Sequence, residues 1–168
     1  MNTPRFNYTA NAWQGAKYDD KLGIKEIAKI IRKELKAKYP SSKWSITIQR
    51  YAGGQSMDIS LLSTDFNIFA PIDKLFAEQN YNQHYCQSAD DFIESWKQEI
   101  DNGKPNINQF YINDDYRLND DGKKILKFAK SISDSFNFDD SDSMTDYFHT
   151  NFYLHLGIGK WDKPYAQI

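Results

Sequence analysis

Two short apolar runs hinged on a pair of glycines constrain the fold of this chain more than any other feature. In KWSITIQRYAGGQSMDIS, residues 43–60, Trp44, Ile46 and Ile48 alternate with Ser45, Thr47 and Gln49. Beyond the glycines, Met57, Ile59 and Leu61 alternate with Asp58 and Ser60. A period of two puts successive side chains on opposite faces, so each run predicts a strand with one apolar and one polar face. The link YAGGQ is short and supplies the positive φ that a hairpin turn needs. A phosphate-gripping glycine loop would instead run from a strand into a helix N-terminus. Here a second strand follows, and the glycines read as a turn.

Helical spacing flanks this hairpin on both sides. Ile24, Ile27, Ala28, Ile31 and Leu35 form one stripe, closed by Pro40, whose ring disfavours helical geometry in the residue before it. At about 100° per residue, Lys21, Lys25, Lys29, Arg32 and Lys36 form a second, basic stripe beside the apolar one. Further along, a short helix is expected over Ile72 to Glu78. Ser88 followed by Asp91 resembles a capping box ahead of Phe92, Trp96 and Ile100, with Gly103 and Pro105 as the stop. A short strand is expected from Ile107 to Ile112, and a helix from about Asp120 to Ser135 burying Ile125, Phe128, Ala129 and Ile132. The segment FNFDDSDSMTD reads as an acidic loop. From Tyr147 to Ile158 alternation returns, with Phe148, Phe152, Leu154, Leu156 and Ile158 on one side. The first twenty residues show no period and predict an extended, loosely packed arm.

The expectation is therefore one α+β domain over residues 1–168. Its core runs α-β-β-α-β, a small, mostly antiparallel sheet with two helices on one face, and residues 64–119 form a helical insertion. At 168 residues the chain can bury a core of this kind. Tyr and Phe supply 22 of its 26 aromatic residues, more rings than a small core needs, so some are expected at a surface or interface. One cysteine, Cys86, offers no internal disulfide and fits a reducing compartment. No apolar run resembles a signal peptide or a membrane span, and a cytoplasmic location is expected.

The order of elements, together with IAKIIRKELKAKYPSSKWSI (Ile27 to Ile46), YAGGQSMDIS (Tyr51 to Ser60), and KKILKFAKSI followed by FNFDDSDSMTDYF (Lys123 to Phe148), resembles the large polyvalent protein-associated domain 29 family. In that family a similar stretch leads into a Y.GG hairpin, and an FDGM.D element follows the second helix. Here Phe138-Asp139 and Met144-Thr145-Asp146 match that last element with extra residues between them, and the Trp-Thr-Asp-Gly stretch that often ends the hairpin is absent. The resemblance implies a phage or mobile-element setting. It implies no catalytic residues, because the family has no agreed activity.

Charge is distributed unevenly. Residues 1–56 carry eleven Lys/Arg against four Asp/Glu, a balance of +7, and the remainder carries ten against nineteen, a balance of −9. Three surfaces follow as candidates. The basic stripe has the spacing to track phosphates, although exposed lysines on a helix are commonly just solvated. On the last strand Tyr147, His149, Tyr153 and His155 fall on the side opposite the apolar residues, where rings stack unpaired bases in some modules; the alternative is that the insertion covers this face and the histidines are structural. The carboxylates Asp114, Asp115, Asp120, Asp121, Asp139, Asp140, Asp142 and Asp146 could mimic phosphate charge toward a basic groove. Asp139, Asp140, Asp142 and Asp146 also offer hard oxygen ligands, but the glycine and distal Glu that an EF-hand needs are absent, and loop aspartates before a strand are more often turn formers.

No HExxH, Walker loop, CxxC or GxSxG is present. Neither a cofactor nor a metal is expected. The functional expectation is a non-enzymatic binding protein of a phage or mobile element that inhibits a host nucleic-acid-targeting defence system by protein contact. The alternative is direct nucleic-acid binding through the basic helix and the last strand.

Overall fold

A computed structural model describes residues 7–168. Its central unit is the hairpin of β2 (Lys43–Tyr51) and β3 (Gly54–Thr64), antiparallel, with Ser45 opposite Ser60 and Thr47 opposite Asp58. Of the two glycines, only Gly53 uses a left-handed backbone, at φ 87°. Gly54 serves differently. It already lies in β3, with the Tyr51 ring 3.0 Å and the Tyr153 ring 3.4 Å from where a Cβ would sit.

Beyond β3 the expected antiparallel character ends. β5 (Tyr153–Ile158) runs parallel to β3, pairing Ser56 with Tyr153 and Leu61 with Ile158, and β6 (Ala166–Gln167) also pairs parallel at Ser63 and Thr64. The sheet is mixed, in the order β2-β3-β5. Alternation reveals which face a residue occupies and nothing about strand direction. A parallel neighbour needs a long crossover, which the chain between β3 and β5 supplies.

Two helices cover the apolar face, as expected. α1 (Ile24–Lys38) buries Ile24, Ile27, Ala28, Ile31 and Leu35, and α4 (Asp120–Ser135) buries Ile125, Leu126, Ala129 and Ile132. They meet Met57, Ile59, Leu61, Leu154, Leu156 and Ile158 in one core. Asn119 caps α4 by accepting the Gly122 N–H at 2.8 Å. Gly122 is required by a close approach: a Cβ there would lie 2.2 Å from the Ile68 carbonyl oxygen.

Residues 64–119, expected from the sequence as an insertion and called so below, carry α2 (Lys74–Asn80) and α3 (Ala89–Asp101), which share a separate apolar cluster of Ala77, Phe92 and Trp96. Ser88 caps α3 by accepting the Asp91 N–H at 3.1 Å. The expected strand at Ile107 to Ile112 does not form; that stretch is turns and a 3₁₀ segment, Ile112–Asp114. Arg117 staples the insertion, donating to Asp115, to Glu99 and to the Asn106 carbonyl. Those carboxylates hold its guanidinium pKa above the usual value against the opposing effect of burial. The insertion leaves the polar sheet face open, since Thr47, Gln49 and His155 on that face are exposed.

Two further expectations are corrected. Over residues 7–20 the N-terminal arm is docked: β1 (Trp13–Gln14) pairs antiparallel with β4 (Phe138–Asp139), and the Gly15 and Lys17 N–H groups donate to the Asn137 and Ser135 carbonyls. Met1 to Phe6, the rest of the predicted arm, lie outside the described residues. The last alternating run is a strand only from Tyr153 onward. Phe148, expected inside, is exposed, because residues 142–147 fold into a small loop closed by the Asp142–Tyr147 bridge.

Candidate functional site

β5 is an edge strand along Leu154 and Leu156, and an unpaired edge exposes backbone donors and acceptors. Here two side-chain amides fill them. Asn137 donates to the Phe152 carbonyl at 2.9 Å and accepts the Phe152 N–H at 3.2 Å. Gln109 donates to the Leu154 carbonyl at 2.7 Å and accepts the Leu156 N–H at 2.6 Å. Together they imitate a neighbouring strand, pinning the insertion and the end of α4 against the sheet.

Around these amides a cleft of about 270 Å³ opens, lined by Trp13, Phe110, Lys130, Asp134, Tyr153 and His155 among others. The Lys130 ammonium lies 5.5 Å from the centre of the Phe110 ring and pairs with Asp134 at 2.5 Å, which fixes the ring's approach to α4. His155 Nδ1 lies 2.7 Å from Asp58 Oδ1 across the sheet. Trp13 is 42 % exposed and Phe110 73 % exposed, on opposite arms of the structure. A second hollow begins on the far side of Gln109, Phe110 and His155, so these three residues form the ridge between the two.

The arm that carries Trp13 is anchored by Asp140. Its carboxylate accepts the Tyr8 N–H at 2.6 Å, the Thr9 N–H at 3.0 Å and the Thr9 hydroxyl at 2.7 Å. Burial acts to raise the Asp140 pKa, but these three donors prevail and hold it below the usual carboxylate value.

The predicted site residues are dispersed. Lys21, Lys25, Lys29, Arg32 and Lys36 are all exposed, with Arg32 reaching the Ile46 carbonyl of β2 and Lys36 the Pro40 carbonyl. Tyr153 and His155 line the cleft at the other edge of the sheet, so the structure does not join the basic stripe and the last strand into one surface. Tyr147 and His149 serve the arm instead: Tyr147 packs on Tyr8 with ring centres 4.7 Å apart, and His149 meets Phe138 edge-on at 4.8 Å.

The eight aspartates also scatter. Asp115 and Asp140 are buried, Asp120 and Asp121 occupy the first turn of α4, and Asp142 holds its own loop through the Met144 N–H. Asp139 lies in the cleft lining, while Asp114 and Asp146 are exposed. Among the described residues no three His, Cys, Asp or Glu side chains converge in a way that would hold a metal ion, and no helix is long and apolar enough to cross a membrane. Sequence reasoning missed Trp13, Gln109, Phe110, Lys130, Asp134 and Asn137. The surplus of rings was the only signal pointing toward any of them.

Comparison with curated proteins and with solved structures returns no match. A family model does match, over residues 22–133, from just before α1 to near the end of α4, with the whole insertion inside the matched span. On that match, which covers well over half of its length, the chain belongs to the large polyvalent protein associated domain 29 family, a module associated with phages and mobile elements.

Proposed function

We propose that the chain acts without catalysis, by occupying a surface of a host protein, and that this host protein belongs to a nucleic-acid-targeting defence system. The observation that carries the reading is the pair of exposed rings, Trp13 and Phe110, flanking a cleft with polar groups at its floor. Aromatic anchors around a partly polar hollow are the composition of protein interfaces, where a few such residues dominate affinity. The Trp13 backbone is held by the β1–β4 pairing and the Phe110 ring by Lys130, which lowers the ordering cost of association. The mobile-element association of the family supports a host target, and the exposed Asp114, Asp120 and Asp121 supply negative charge suited to a protein that handles nucleic acid.

The test is capture from host lysate with the native chain and with the Trp13→Ala/Phe110→Ala variant. The native chain is expected to retain a nucleic-acid-processing defence protein, and the variant to lose it while keeping the same unfolding midpoint. Equal retention by both, or recovery of no such protein, refutes the reading.

A second reading, direct nucleic-acid binding, is favoured by the exposure of all five cations of the α1 stripe. It calls for retardation of DNA or RNA that weakens steeply with salt and on Lys25→Glu/Lys29→Glu/Arg32→Glu. Unchanged mobility at low salt disposes of it.

A further inference from the structure

The two edges of the sheet are treated differently. At β5 the amides of Asn137 and Gln109 satisfy four outward backbone groups. At β2 the hairpin register turns the backbone groups of Trp44, Ile46, Ile48 and Arg50 away from β3, and β2 ends the strand order. Among the described residues, the contact made to that outward row is from Arg32, whose guanidinium donates to the Ile46 carbonyl at 2.6 Å. Trp44 and Ile48 are half-buried and Arg50 is exposed, so the row is reachable from solvent.

Exposed cations lie on this strand and on the helix whose Arg32 reaches it. Lys25, Lys29, Arg32 and Lys36 run along α1 beside it, and the strand itself contributes Lys43 and Arg50, both exposed. Asp58, opposite Thr47 in the register, is already bonded to His155.

We propose that the outer edge of β2 accepts an extended acidic segment of a protein partner as an added strand. A peptide supplies both N–H donors and carbonyl acceptors to the outward row, its alternate side chains meet Trp44 and Ile48, and its carboxylates meet the cations of α1. A second copy of β2 fits poorly, since it would set one row of cations against another. A nucleic acid would neutralise the cations but offers no phosphodiester N–H to the outward carbonyls. This site is separate from the β5 cleft, and its test does not depend on that reading.

The probe is a fluorescein-labelled decapeptide of alternating Glu and Val, followed by anisotropy at low salt, with amide hydrogen exchange on the native chain. Binding is expected together with slowed exchange at Ile48 and Trp44. Affinity is expected to fall about tenfold or more for the peptide N-methylated at alternate residues, and by a similar factor for Lys25→Glu/Lys29→Glu, whose substitutions lie on an exposed helix face. Phe110→Ala is expected to bind the probe as the native chain does. No binding, equal binding of the N-methylated peptide, unchanged exchange along β2, or displacement of the bound peptide by a ten-residue oligothymidylate at lower concentration than by unlabelled peptide would each overturn the proposal.

Discussion

Replacing Arg117 with methionine tests how the insertion is held. The Arg117 fork donates to both Asp115 oxygens, from Nε at 3.0 Å and from Nη2 at 2.7 Å, and the other arm reaches Glu99. The two acids differ in what they lose. The Glu99 side chain is 37 % exposed and regains water when the cation goes, whereas that of Asp115 is 6 % exposed and, among the described residues, keeps only the backbone N–H of residue 117. Removing one partner of a buried pair costs about 3–5 kcal/mol, and Asp115 accounts for most of it. For a chain of this size that corresponds to a fall in Tm of roughly 6–20 °C. Urea and thermal unfolding of the native chain, Arg117→Met, Asp115→Asn and the double variant close a mutant cycle. The double variant is expected to recover part of the loss, because an asparagine in place of Asp115 leaves no charge stranded. A loss below about 1 kcal/mol for Arg117→Met, or strict additivity in the cycle, would refute the claim that an uncompensated buried carboxylate sets the cost.

Asp140 gives a pH signature. Its folded pKa lies below the unfolded value of about 3.9, so the arm contact contributes fully above that pH and is lost as pH falls through the folded pKa. Native Trp13 fluorescence should report release of the arm in that acid window, and Asp140→Asn should show no such step; an identical step in both excludes the carboxylate as its source. Gly122→Ala should destabilise by about 1–3 kcal/mol in urea, since the Ile68 oxygen lies 2.2 Å from the new Cβ and outweighs the gain in helix propensity. A stabilised variant would show that the Ile68 segment shifts freely.

Strong local periods were the legible part of this chain. The α1 stripe, the hairpin faces, the Ser88 cap and both ends of α4 follow from spacing and end signals that act within a few residues. What failed was anything decided by distant partners. The direction of β5 depends on a neighbour about a hundred positions earlier, and the alternation of Tyr153–Ile158 is the same for either direction. The arm looked unstructured because its order comes from Asp140 and β4 rather than from its own residues. The cleft was hidden for a related reason. Gln109 sits in a stretch that read as a short strand and Asn137 in one that read as an acidic loop, and no local pattern marks an amide that will stand in for a strand.

The placement of β3 carries a consequence for how the protein is made. This strand is the hub of the sheet, yet its parallel neighbours β5 and β6 are synthesised only after α2, α3 and α4. α1 and the hairpin can form as soon as they leave the ribosome, while Met57, Ile59 and Leu61 lack part of their cover until residues 152–158 arrive. A nascent chain truncated before Phe152 would thus be a ready client for chaperones, and this core would close only after residues 152–158 have emerged.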